Sequence, residues 1–560
     1  MNEMKDFDVV VVGGGLAGLT LALQLLRTRP RTKVAVIERA GFPVPEAAHK
    51  VGEATVENGA YYFREVLGLE DHLEAEQFRK LGLRFFMTAG DNRAIAPRFE
   101  LGSRRFLASR TYQLDRGRFE NELARRAASA GAHICDESMA SEVVLDPDGV
   151  HRVLYTREGE ERELRSRWVV DASGRRAVLK GMLGLRKPVA HDVNAVWFRL
   201  AEMIDVGDFI DADEPLGEPP VRDAWRERVP SGERWRSTNH FMGSGYWTWL
   251  IPLASGSISV GIVADEAIVP FKTINRFEKA LDWLRLNEPQ IADAVEARAE
   301  GLQDFRSLRH YAHGCAQVYS ADRWCITGEA GTFLDPLYSP GSDFIGLSNT
   351  YITDLLVRDL EGEDVAERAG RYNAAYLAAF ESALTTWQDQ YPLMGNPQVW
   401  GAKTAWDTVA YFATLNLLFV NDALCDLGFM DSVAPTWCRY EELAQGMQKF
   451  FRAWAERDDG EVADGAFGDL SDEIYDRLNA ELLTRLERPE LRVRLDRNVA
   501  LLEDAALEIV DGAAQRIGEE AAAEIAPAAL ADRLTTGPAP PSGAMAGVFV
   551  ARPVGVDAPG

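Results

Sequence analysis

The chain has 560 residues, of which 46% are hydrophobic, and a formal net charge of −26. That length calls for two or three domains, and the apolar content is ample for their cores. The acidity argues against nucleic acid or an anionic membrane as a partner, and five scattered cysteines with no C-x-x-C pair argue against a disulfide framework or a zinc site. The segment before Asp8 has acids and no apolar signal core, and the uncharged stretch 408–421 is shorter than the roughly twenty residues a bilayer span needs. A cytoplasmic protein is expected.

In chain order, Asp8 is followed by Val9-Val10-Val11-Val12, β-branched at every position, which predicts a buried parallel strand. Gly13-Gly14-Gly15-Leu16-Ala17-Gly18 fits G-x-G-x-x-G, residues 19–26 carry helical apolar spacing, and 33–38 read as the next strand. In such a motif Gly13 makes the tight turn, Gly15 lets backbone approach a pyrophosphate, and Gly18 lets the helix pack on the strand. The diphosphate would lie on the free N–H groups of that helix. Glu38, about twenty residues past Gly18, stands where an acid accepts from a ribose hydroxyl. Strand, turn, helix and acid together predict a dinucleotide site. Which dinucleotide it takes stays open on these residues.

A loop follows, then His49-Lys50-Val51-Gly52-Glu53-Ala54-Thr55-Val56. Residues 118–131 carry helical spacing through Phe119, Leu123 and Ala127, 132–144 suggest a strand, and 150–165 a hairpin about Glu158-Gly159-Glu160. Trp168-Val169-Val170-Asp171-Ala172-Ser173-Gly174 predicts a second buried strand ending in a turn. From about 188 to 310 the pattern alternates, predicting a separate, mostly antiparallel sheet interrupted by a helix at 274–286. Within it, Trp247 and Trp249 share one face of a strand, and His240 reads as a hydrogen-bonded core histidine. Trp324-Cys325-Ile326 returns to the first sheet and ends in Gly328-Glu329-Ala330-Gly331, and 344–360 resume a helix. Beyond 366 almost everything is helical, and no second G-x-G-x-x-G for a nicotinamide cofactor occurs. The expected division is 1–187 and 311–365 for nucleotide binding, 188–310 for the substrate sheet, 366–535 for the helical region, and 536–560 for a disordered tail.

Taken together, GGGLAG at Gly13, KVGEATV at Lys50, DASG at Asp171, WTWLIP at Trp247 and GEAGTFLDPLYSPG at Gly328 resemble the flavin-dependent halogenases. These form a branch of the FAD monooxygenases with the p-hydroxybenzoate hydroxylase-like fold. The resemblance spans residues 6 to about 360 and matches W-x-W-x-I-P in full. It implies an α/β architecture: a Rossmann-like FAD-binding domain, an inserted antiparallel-sheet substrate domain and a helical C-terminal region. It implies FAD, held by Gly13, Gly15, Ala17, Gly18, Glu38, Arg39, Arg116, Asp171, Gly328, Glu329, Asp335 and Gly341. It further implies that FADH2 from a separate flavin reductase reacts with O2 to a flavin hydroperoxide, which oxidises halide (chloride or bromide) to hypohalous acid. That acid would travel through a tunnel to Lys50 beside an electron-rich acceptor.

Three departures from the family pattern shape the expectation. Tyr338 stands where the tryptophan-acting branch has a catalytic glutamate, which points to a phenol, a pyrrole or a carrier-bound acceptor. Glu329 replaces the aspartate usual at the flavin ribityl chain. The two successive backbone N–H groups that bind halide correspond to Pro340 and Gly341, and proline has none. An FAD monooxygenase that does not halogenate therefore stands as the alternative.

Overall fold

The computed structural model describes residues 6–46, 50–212, 219–531 and 533. They fall into two compact units: one drawn from Met1–Gln77, Leu114–Ala190 and Tyr311–Ala383, the other from Phe78–Gln113, His191–His310 and Leu384–Gly560.

In the first unit the valine strand Asp6–Val12 lies between Val34–Ile37 and the C-terminal half of Glu160–Asp171, parallel to both. His133–Cys135 extends this sheet on one side and Trp324–Ile326 pairs with Val169–Asp171 on the other. Residues 9–12, Val34–Ile37 and Trp324–Ile326 are buried on both faces, which explains their unbroken apolar runs. Helix Leu16–Thr28 makes the first crossover. The hairpin expected about Glu158 and Gly159 forms, both residues taking positive φ (55° and 80°), but its second strand does not stop there. Glu160–Asp171 is one strand of 12 residues. Its first half pairs antiparallel with His151–Arg157 and its second half enters the parallel sheet. The single strand expected over 132–144 is two, His133–Cys135 and Ser138–Val144, broken at Glu137 with φ 47°.

The second unit is built on an eight-stranded mixed sheet. Its order runs Leu302–Leu308, Val193–Leu200, Ile258–Asp265, Tyr246–Pro252, Thr238–Gly243, Leu83–Phe86, Glu100–Gly102, Phe467–Asp469. Helices Phe277–Asn287 and Pro289–Glu296 bury one side through Ala280, Leu284, Ile291 and Val295, with Trp283 edge-on to Tyr246 at 4.7 Å. Residues 78–113, expected in the nucleotide domain, belong here instead. Leu83–Phe86 pairs with Thr238–Gly243 in parallel, a long-range pairing that no local pattern announces. From Leu384 onward the helical region lies in this same unit. It is also not wholly helical, since Phe467–Asp469 supplies an edge strand beside Glu100–Gly102. The apolar stretch 408–421 lies in helix Pro397–Tyr411, a π-turn Phe412–Asn416 and helix Leu417–Val420, largely buried in this unit. Among the described residues no helix is long and apolar enough to cross a membrane. The expected tail, 536–560, lies outside the described residues.

Candidate functional site

The glycine turn is packed tightly where it meets protein and left open where a phosphate would pass. Gly13 has φ +110°, and a Cβ there would sit 2.3 Å from the Ala172 carbonyl oxygen. A Cβ on Gly18 would stand 1.9 Å from the Gly13 carbonyl oxygen. Gly15 is the N-cap of Leu16–Thr28, and among the described residues a Cβ on it meets just the Lys50 Nζ, at 3.9 Å. The free amides of that helix end face this space. Ala17 packs against the second glycine turn: a Cβ on Gly328 (φ +61°) would lie 2.8 Å from that of Ala17. The residues present thus fit a dinucleotide diphosphate.

The acids around the turn are mostly engaged in shaping it. Glu38 Oε2 accepts from the Gly14 N–H at 2.7 Å and Oε1 from the Ala40 N–H at 2.9 Å. Asp171, fully buried, accepts from the Ser173 and Leu179 N–H groups at 2.9 and 2.7 Å. Burial pushes its carboxyl up, against the pull of those bonds. Asp335 accepts from the Tyr311 hydroxyl and the Leu337 N–H, each at 2.9 Å. Glu329 is pushed up by burial, with Arg175 and Arg116 drawing it back down. Arg39 is exposed. A residue with no motif to mark it, Asn349, ties the elements together. Its Nδ2 donates to the Ala17 carbonyl at 3.1 Å, and its Oδ1 accepts from the Thr327 hydroxyl at 2.8 Å.

Tyr338 and Ser339 both have left-handed backbone, φ 68° and 59°. For residues with a side chain this stores about 1–3 kcal/mol each. The strained pair delivers Pro340 to the N-cap of helix Gly341–Leu360. A Cβ built on Gly341 meets no described atom within 4 Å, and Pro340, before it, has no N–H to donate.

Lys50, expected beside the acceptor, stands at the dinucleotide turn. Its ammonium pairs with Glu120. Glu120 is fully buried and also accepts from Arg116 Nη2 at 2.5 Å. Burial pushes the Glu120 carboxyl up, yet Arg116 and Lys50 outweigh it and the net shift is downward. Arg116 Nη1 in turn donates to the Val51 carbonyl at 2.6 Å, which anchors the loop carrying Lys50.

The second unit contains a different lysine. Lys80 ends the short strand Phe78–Lys80 and is only 3% exposed. Strand Thr238–Gly243 places His240 near it. His240 is buried, stacks on Phe85 at 4.7 Å and lies 5.4 Å from the Trp247 ring. Its Nδ1 donates to the Arg84 carbonyl at 2.9 Å, which fixes the tautomer with Nε2 as acceptor. Burial, with help from the Lys80 charge, drives its pKa down to about 3, so the ring is neutral. Trp247 and Trp249 share a face at 5.5 Å, and the Trp249 indole donates to the Ser259 hydroxyl at 3.1 Å. Sequence reasoning passed over Lys80 because Phe-Arg-Lys-Leu resembles any edge strand; only burial marks it.

Residues 6–215 match the family model described as an FAD binding domain. The chain is 24% identical over 444 residues to the flavin-dependent halogenase chlA of Dictyostelium discoideum, covering 74% of this chain and 71% of that protein. It is 24% identical over 368 residues to the 1H-pyrrole-2-carbonyl-(peptidyl-carrier protein) brominase of Pseudoalteromonas luteoviolacea, covering 65% and 80%. The crystal structure of halogenase PltM superimposes with a TM-score of 0.62 at 16% identity, covering 90% of this chain and 97% of that one, a likeness of fold.

Proposed function

We propose that this chain, similar to flavin-dependent halogenases and carrying an FAD binding domain, halogenates an electron-rich acceptor, a phenol or pyrrole that is free or carrier-bound. The observation that carries this reading beyond FAD binding is the buried Lys80, whose charge acts on the neutral His240 that itself lies against Trp247. Tyr338 in the place of a catalytic carboxylate supports an acceptor that activates itself, and similarity to a carrier-protein pyrrole brominase supports the carrier-bound form.

Bound as FADH2, the cofactor supplies with O2 the oxidation that turns chloride or bromide into an electrophilic halogen. The Gly13–Gly18 turn and the amides at the start of Leu16–Thr28 would hold its diphosphate. The Gly341 N–H offers halide a donor at the start of its helix. The Lys80 ammonium hydrogen-bonds the oxygen of hypohalous acid and polarises the oxygen–halogen bond. As the acceptor carbon takes the halogen, Lys80 protonates the departing hydroxide to water, and the proton lost from the ring carbon returns to the amine. A neutral His240 keeps a second positive charge away from the oxidant. Reducing equivalents come from a separate flavin reductase. The absence of any C-x-x-C pair among five scattered cysteines fits a reducing compartment, the cytoplasm.

The test compares Lys80→Ala with Lys50→Ala. With FADH2, O2 and halide, Lys80→Ala should still consume oxygen and release peroxide but give no halogenated product. Undiminished halogenation by Lys80→Ala, with loss in Lys50→Ala, would return the role to the lysine of the KVGEATV motif. Pro340 favours a second reading, an FAD monooxygenase. Its mark would be an oxygenated product formed equally with and without halide.

A further inference from the structure

We propose that Lys50 is the residue through which this chain grips the cofactor diphosphate, a positioning role assigned to it by neither its motif nor the halogenase reading. The inference rests on the FAD-binding part of that reading alone. Three observations carry it. Among the described residues outside its chain neighbours, the ammonium is the one group within 4 Å of a Cβ built on Gly15, the residue over which a pyrophosphate runs in this type of turn. Its carboxylate partner, Glu120, is inaccessible to solvent and is shared with Arg116. The loop that carries Lys50 is fastened by Arg116 to the Val51 and Gly52 carbonyls, at 2.6 and 3.3 Å.

The charges explain why such an arrangement persists. Two cations, Lys50 and Arg116, share the Glu120 carboxylate beside a turn whose amides are also donors. A diphosphate above Gly15 would bring negative charge to these donors. Lys50 has three N–H donors. It can keep its bond to Glu120 while giving another to a phosphate oxygen, and Glu120 then acts as the peg that aims it. The side chain is 42% exposed, enough to turn toward the phosphate, and exposed enough for salt to weaken the contact.

The experiment measures affinity of the full chain for FAD by quenching of flavin fluorescence, and for ADP, which has the diphosphate without the isoalloxazine, by competition. Lys50→Ala should weaken both about tenfold at low salt, the lower end for a hydrogen bond to a charged group. The loss should shrink as salt is raised. Lys50→Arg, which still presents donors to phosphate, should stay within about threefold of wild type. Glu120→Gln should weaken both ligands with Lys50 intact, because the peg is gone. Thermal unfolding of each variant in the absence of nucleotide separates lost binding from lost structure. Wild-type affinity of Lys50→Ala for FAD and for ADP overturns the proposal, as does an equal loss with Arg and Ala. None of these readouts depends on halogenated product, so failure of the halogenase reading leaves them intact.

Discussion

The Trp247 indole N–H donates to the Tyr391 hydroxyl at 3.0 Å, and the Tyr391 carbonyl accepts from the Gly245 N–H at 3.0 Å. One tyrosine thus bonds the signature strand Tyr246–Pro252 and the hairpin turn before it to the start of the helical region. Both rings are almost completely buried. Tyr391→Phe leaves the indole N–H without its acceptor. It should lower unfolding free energy by about 1–3 kcal/mol, read as a lower denaturant midpoint at unchanged slope.

Gly15 and Gly18 should respond in opposite ways to added side chains. At Gly15 the backbone is ordinary and the space open, so Gly15→Val should fold with near wild-type stability and lose FAD. Gly18→Ala drives a methyl into the Gly13 carbonyl oxygen, 1.9 Å away. It should cost about 1–3 kcal/mol of stability. Thermal melts with and without FAD separate the two. Retention of FAD at wild-type affinity by Gly15→Val would mean that the diphosphate runs elsewhere.

Pro340→Thr restores an N–H at the N-cap of Gly341–Leu360. If halide binds at this helix end, the variant should reach half-maximal halogenation at roughly tenfold to a hundredfold lower halide, the equivalent of a hydrogen bond of about 1.5–3 kcal/mol to a charged group. An unchanged halide requirement would place the ion away from Pro340.

Lys180 gives a pH signature. Its Nζ is 2.6 Å from the Gly331 carbonyl and 2.8 Å from His313 Nδ1, beneath the second glycine turn. Burial chiefly holds Lys180 down to about 8, Cys315 and Asp171 raising it and Arg186 lowering it. Burial, then Lys180, Arg175 and Arg186, lower His313 to about 4. Both folded values lie below the unfolded ones, so the unfolded chain binds more protons between the two, and stability rises with pH there. The rise should run from about pH 4 to 6.5 for His313 and from about pH 8 to 10 for Lys180. Lys180→Met should flatten the upper rise in denaturant midpoints taken across pH 8 to 10.

What was legible in the sequence was local. Val9 to Val12 announced a doubly buried strand, Gly13 to Gly18 its turn, and Glu158-Gly159 a hairpin, because each is set by neighbours in the chain. Long-range pairing was not legible. Nothing in Leu83-Arg84-Phe85-Phe86 says that it will lie beside Thr238–Gly243, or that Glu160–Asp171 will serve two partners. The site divides in the same way. Motifs found the glycine turns and the aromatic strand. Lys80 and Asn349 matter through burial and through partners distant in sequence, so only the fold reveals them. Lys50 shows the converse: its motif was visible, but its closeness to Gly15 and its pairing with Glu120 were not.

The order of the parallel sheet also sets a timetable for biosynthesis. Asp6–Val12 needs Glu160–Asp171 at its side, and that strand in turn needs Trp324–Ile326. At about 5–20 residues per second the last of these is made roughly 15–60 s after the first. The glycine turn exists early, but the strand end that Gly13 packs against at Ala172 and the Gly328 turn that meets Ala17 come later. Until then the valine-rich strand has only Val34–Ile37 beside it, and its other edge is unpaired on the nascent chain, a template for aggregation. Expression at lower temperature or with a chaperone that shields the first 160 or so residues should therefore raise the yield of folded protein more than added FAD does, since the cofactor has no finished cradle to enter while that strand waits.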